Sequence, residues 1–335
     1  MKKPGNSKQG ADLPANLRND EKAKFRCAHP HLARRSMEKF HAGIGRILEE
    51  KNFKDIDEAN AFLESFINGG KAPDVPPRTP LEAAQDIMFE AWDEPSKKTR
   101  IRMARRALEV SADCADAYVL LAEEAAASSV LEEKEFYEKG VQAGERAIGA
   151  RGFQEDCGHF WAVIETRPYM RARAGLAGCL LLMGQRGEAI RHFQDMLRLN
   201  PDDNQGLRYL LVNLLIEEGR DREARELIDR YPNEPTAAWA YTKALLKFKR
   251  EGPNAKTDRR LMKALDINRF VPLYLLGLQR IPKKLPETIG FGNEDEAVEY
   301  AAESMRIWPE TAGAVEWLKR VAMEYVGNLK RPADS

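Results

Sequence analysis

The feature that most constrains this chain is a spaced pattern that returns at a fixed interval. After Met170 come Leu176, Ala177, Leu180, Gly184, Ala189, Phe193 and Pro201. Gly184, Ala189 and Phe193 are each followed 35 residues later by Gly219, Ala224 and Ile228. A period of that length marks one supersecondary unit stacked on copies of itself. Apolar residues recur at helical spacing in both halves of the unit, and strand-like alternation is nearly absent, so the unit is a pair of helices. The residue types fit that geometry. Ala177 and Ala189 are small enough for the two helices to approach closely, and Gly184 permits the tight turn between them. Phe193 fills the gap towards the next unit. Pro201 ends the second helix, and Asp202 and Asp203 are placed to cap the helix after it.

The same spacing predicts further units. Gly252, Leu261 and Ala264 set one that starts at Ala238; Leu273, Leu276 and Gly277 set one at Phe270. In the latter the second helix is delayed by Arg280–Asn293, resumes with Ala297 and ends at Pro309. Upstream, Tyr118, Leu121 and Ala122 fit a unit at Ala115, and a weaker one starts at Leu81 with Ala107 near its end. Between the Ala115 and Met170 units lie an extended second helix (Leu131–Ile148) and an insertion (Gly149–Pro168). Thr311–Val326 reads as the capping helix that closes the last face of a stacked array.

The Met170–Pro201 unit resembles the tetratricopeptide repeat, which implies an all-α fold: a right-handed α-solenoid of helix pairs preceded by an N-terminal helical segment. A narrower resemblance rests on Asp116–Glu124, Glu165–Arg173, Asn204–Tyr209 and Gly290–Tyr300. These segments look like the bacterial branch of the suppressor of tumorigenicity 7 family, over roughly residues 80 to 325. The resemblance implies a helical-repeat protein and supplies no catalytic residue. Its animal members are membrane-associated, whereas the longest uncharged run here is Ala174–Gln185, well short of the ~18 apolar residues of a membrane helix.

Charge and punctuation divide the chain. Residues 1–36 carry nine Lys and Arg against three acids, inside a total of 53 against 53. Residues 1–30 read as a disordered basic arm, 31–70 as a helical pair, 71–80 as a Pro-rich linker, 81–327 as the solenoid with its cap, and 328–335 as a tail. Pro80 with Thr79 before it opens the first solenoid helix. With no apolar leader and four scattered cysteines, the chain is expected to be cytoplasmic.

In such a solenoid the first helix of each pair lines the concave face. The register places Arg171, Tyr209, Asn213, Trp239, Thr242 and Tyr274 there, a set of aromatic, Arg and amide side chains of the kind that anchors peptides. The expected function is a non-catalytic scaffold or adaptor that holds a protein or peptide partner in this groove. The Lys and Asn positions that chaperone-tail clamps use are mostly unfilled: the Met170 unit offers Ala174 and Gly178, the next Tyr209 and Asn213, and the Ala238 unit Trp239 and Lys243, so that partner is not expected. A second reading makes the basic arm a contact to nucleic acid or the ribosome. A third makes Cys27-x-His29-x-His31 and Cys157-x-His159 zinc ligands of a metal-dependent enzyme, but their spacings are not those of zinc modules. Cys179 reads as a small core residue and His192 as solvated. No catalytic residue, metal or cofactor is expected. Glu165, Arg167, Arg171 and Arg173 converge beside Pro168, either as a recognition patch or as a salt-bridged clasp on the insertion.

Overall fold

Two turns one repeat apart show how the sequence builds this fold. Gly184 and Gly219 both take left-handed backbone, at φ 75° and 69°. Each turn closes in the same way. Gly184 N donates to Leu181 O and Gln185 N to Leu180 O; Gly219 N donates to Ile216 O and Arg220 N to Leu215 O. This is the left-handed helix ending that glycine supplies without a Cβ penalty.

The computed structural model describes residues 36–51, 53–69, 75–286 and 288–329. Among them every regular element is helical. α1 (Ser36–Glu50) and α2 (Ile56–Gly69) precede the array. Five helix pairs come next: α3 (Pro80–Asp93) with α4 (Lys97–Val110), α5 (Ala115–Ala125) with α6 (Val130–Glu155), α7 (Arg167–Leu182) with α8 (Arg186–Leu199), α9 (Leu207–Glu217) with α10 (Asp221–Arg230), and α11 (Ala237–Glu251) with α12 (Ala255–Ile267). Each helix from α3 to α12 packs on the next in the chain, so the pairs stack into an α-solenoid. The chain ends with α13 (Val271–Leu275), α14 (Glu294–Ser304), α15 (Ile307–Glu310) and α16 (Ala314–Leu329).

Caps set many of the starts. Thr79 accepts from Glu82 N ahead of Pro80, Ser129 from Glu132 N, Thr236 from Trp239 N and Asn293 from Glu296 N. Asn254 and Thr257 form a reciprocal capping box at α12, which satisfies two otherwise orphaned amides. α6 is non-helical at Gly149 (φ 65°), where the insertion begins. The insertion is tied to the end of α8 by Gly158 N and Phe160 N, both donating to Leu199 O.

The repeat positions form the core. Ala177, Ala189, Phe193, Ala224 and Ala297 are fully buried and Leu176 nearly so. Gly252 ends α11 with φ 66°, and Pro201 comes just after the end of α8. Where α6 crosses α7 the approach is closer still: a Cβ on Gly144 would stand 2.7 Å from Tyr169 Cβ.

The C-terminal part departs from the expected pairing. Residues 294–309 do not form one second helix. α14 stops at Ser304, and Pro309 lies in the separate short α15. α13 has only five residues, too few for a full first helix. α14 crosses to the other side and packs on α9, α11 and α13, which are first helices. α16 instead covers α12 and α13. Aromatic packing holds this arrangement. Trp308 donates from Nε1 to Tyr300 OH at 2.9 Å, Tyr241 meets both rings, and Trp317 stacks on Phe248 at 4.4 Å.

Candidate functional site

The expected groove residues are placed on the first helices as the register requires, but the face they share is covered. Trp239 is 0% and Thr242 1% exposed. Trp239 is wedged between Tyr209 and Tyr231, edge-on to both, and donates to Ile228 O. Thr242 lies 3.5 Å from Tyr300 OH, under α14. Tyr274 is buried and donates to Glu294 Oε1 at 2.6 Å. Asn213 is buried with its Oδ1 unpartnered. These four are therefore corrected from groove contacts to interior residues: α14 lies on Thr242 and Tyr274, α9 and α10 with the turn after them enclose Trp239, and Asn213 is buried. Tyr209 is half-buried, its hydroxyl bonded to Glu234 and its ring under the Arg208 guanidinium.

Arg171 is corrected for a related reason. It is 5% exposed. Its guanidinium donates to both oxygens of Asp116 at 2.8 and 2.6 Å, and to both oxygens of Glu38 at 2.9 Å. Burial would push this guanidinium down, but Asp116 and Glu38 hold it above its ordinary value. Asp116 also accepts from Gln85. Glu38 belongs to α1, which lies across the N-terminal first helices as α14 lies across the later ones.

Eight residues on, two turns along α1, Arg46 makes the second anchor. It donates to Asp86 at 2.9 and 2.7 Å and to Val75 O, and pairs with Glu82 at 3.0 Å. The hydrogen bond with Asp86 raises Arg46 above its ordinary value. Burial works to raise Glu82, yet hydrogen bonds from Arg78 and the charges of Arg78 and Arg46 bring it below. Glu38, Arg46, Asp86 and Asp116 were not expected as a site. The only sequence signal was the acid and base two turns apart on one helix.

Between these anchors α1 roofs a cavity of about 310 Å³. Ala42 and Gly45 line the roof; Leu81, Phe89, Ala147 and Pro168 give apolar walls; Arg78, Asp113 and Glu165 supply charge. Beside it, hydrogen bonds and ion pairs fasten the insertion and the start of α7. Arg167 donates to Trp161 O at 2.8 Å and to Glu38. Arg173 pairs with Asp195 and donates to Tyr169 OH at 2.7 Å. His192 is not solvated as expected: it is half-buried, with Arg173 3.2 Å from Nδ1. Burial and Arg173 together push its pKa down.

Neither buried thiol is poised as a nucleophile. Cys179 is 1% exposed, and burial pushes Cys114 up to about 12. Cys157 is exposed beside Arg198. Among the described residues no group of three His, Cys, Asp or Glu is placed to hold a metal. Cys27, His29, His31 and the basic arm lie outside the described residues.

The family model described as ST7 protein matches residues 78–332. This chain belongs to the ST7 family. Relatives include the suppressor of tumorigenicity 7 protein-like proteins of Gallus gallus, 27% identical over 71% of this chain and 46% of the relative, and of Homo sapiens, 27% identical over 71% and 45%. The ST7 homolog of Drosophila melanogaster is 28% identical over 70% and 47%. The chain thus spans less than half the length of these ST7 relatives. A solved structure, "YrrB: a TPR protein with an unusual peptide-binding site", is similar at 19% identity and a TM-score of 0.39, over 62% of this chain and 91% of that one. The ST7 match begins two residues before α3, so the cavity walls fall within it and the α1 roof lies outside. No helix among the described residues is long and apolar enough to cross a membrane.

Proposed function

We propose that this ST7-family chain is a non-catalytic interaction scaffold that holds a segment of a protein partner in the recess beneath α1. The observation that carries the reading is the recess itself: about 310 Å³, bounded by α1, α3, α6 and α7, with apolar walls and charged groups around them. That volume stands at the lower end of ligand pockets, roughly 300–1,000 Å³. It suits anchor side chains of an inserted segment rather than a whole helix. Leu81, Phe89 and Pro168 offer apolar contact, while Arg78, Asp113 and Glu165 offer orienting charges, the mixture that peptide recognition uses. The buried thiols of Cys114 and Cys179 offer no accessible nucleophile, and free cysteines fit a reducing cytoplasm.

Gly45 makes the reading testable without harming the fold. It lies mid-helix on the cavity side of α1, and nothing stands within 4 Å of a Cβ built there. Gly45→Phe places a ring in the recess while improving helix propensity. Affinity capture with the wild-type chain beside Gly45→Phe, read by mass spectrometry, is expected to lose a specific protein from the variant alone. If both baits retain the same proteins, the recess is not the partner site.

A further inference from the structure

About a quarter-turn round α11 from Thr242, a second recess opens away from α14. Lys243, Leu246, Lys247 and Arg250 recur at helical spacing, and they share a cavity of about 290 Å³ with Arg225 and Asp229 of α10 and Arg260 of α12. Leu246 and Ile228 are buried and form its floor. Five cations therefore meet one carboxylate in the lining. Lys247 and Arg250 are answered by Glu251. Arg225, Lys243 and Arg260 make no ion pair among the described residues. The Lys243 ammonium donates to Pro232 O at 3.4 Å.

Three cations from three helices are thus held around one recess whose single lining carboxylate, Asp229, forms an ion pair with none of them, in a chain whose net charge is zero. Burial and the neighbouring Arg260 push the Lys243 ammonium below the usual lysine value and outweigh the opposing pull of Asp229 and Glu234. A bound dianion would relieve both the repulsion and the unmet hydrogen-bonding capacity. We infer that this recess is a binding site for a phosphoryl dianion, with Arg225, Lys243 and Arg260 as its ligands. No aromatic side chain lines it, so it has nothing for a nucleobase to stack on. The same chemistry comes from a phosphorylated side chain of a partner or from a small phosphorylated molecule.

The test is calorimetric titration of the full chain with three probes: inorganic pyrophosphate, a short phosphoserine peptide and its unphosphorylated form. Arg225→Gln/Arg260→Gln removes two cations from partly exposed positions. Lys243→Met keeps the stem that packs on the helix, which guards against misfolding. The site predicts binding of at least one phosphoryl probe, no binding of the plain peptide, and a loss of about tenfold or more in either variant. Both variants are expected to melt no lower than wild type, because each removes like-charge repulsion. Binding of the phosphopeptide alone names a modified partner as the source; binding of pyrophosphate alone names a small molecule. Failure of both phosphoryl probes to bind at millimolar concentration overturns the inference. So does equal affinity in wild type and variants.

Discussion

Two helical glycines in this chain predict opposite outcomes on the same substitution. Gly45 has open space where a Cβ would go, so Gly45→Ala is expected to gain about 0.5–1 kcal/mol by helix propensity alone. At Gly144 that Cβ would stand 2.7 Å from Tyr169 Cβ and 3.1 Å from its Cα. These atoms are fixed to backbone, so Gly144→Ala is expected to lose about 1–3 kcal/mol by overpacking. Denaturant midpoints of the two variants check the signs. A third prediction concerns Glu299, whose carboxyl burial and the neighbouring Glu296 push up to about 7. The folded state therefore holds this proton more tightly than the unfolded state, where the ordinary value is 4.5. Its contribution is fully present below pH 4.5 and is lost as pH rises towards 7. Glu299→Gln removes the titrating group, and the slope of stability between pH 4.5 and 7 is expected to flatten by that amount.

At the scale of elements, the repeat helices were legible because their signals are local. Gly184 and Gly219 set turns, Ala177, Ala189 and Ala224 set close packing, and Thr79 with Pro80 set a start; each acts within a few residues. The cover over the first helices was not legible, because no local rule encodes it. Glu38 meets Arg171 across 133 residues, and Thr242 meets Tyr300 across 58. Position 2 of a repeat says which way Arg171 points, and nothing about the group that arrives there. The same pairing makes α1 testable. Arg171→Met leaves Glu38 and Asp116 buried without their common partner, at a cost of about 3–5 kcal/mol. Arg46→Ala removes only the other, less buried anchor. Hydrogen exchange is expected to show α1 amides losing protection in Arg46→Ala while α7 to α12 keep theirs. Equal protection of α1 in wild type and variant would show that these ion pairs do not hold it.

At the scale of the molecule, the described residues pack into two cores of unequal size. The larger is continuous from Val119 to Val321. The smaller joins α3 and α4 to α5 through Ala84, Met88, Ala91, Ala104 and Ala107, and Trp92 and Phe136 pack against both. Stacked pairs draw their stability from nearest neighbours, and a layer of alanines buries little apolar area. Native-state hydrogen exchange is expected to find α3 and α4 opening at lower free energy than α7 to α12. A common opening energy across all these helices would contradict the division.

The placement of α14 has a mechanical meaning. An open stack of helix pairs is compliant in one direction above all: its curvature opens and closes as small rotations add from unit to unit. α14 touches α9, α11 and α13 together, so it ties three successive layers as a crossbar ties the turns of a spring. The coil is stiffened over the C-terminal half, and α1, tied to α3 through Arg46 and to α7 through Glu38, braces the N-terminal pairs in the same way. The recess beneath α1 is walled by the very layers that this second crossbar joins.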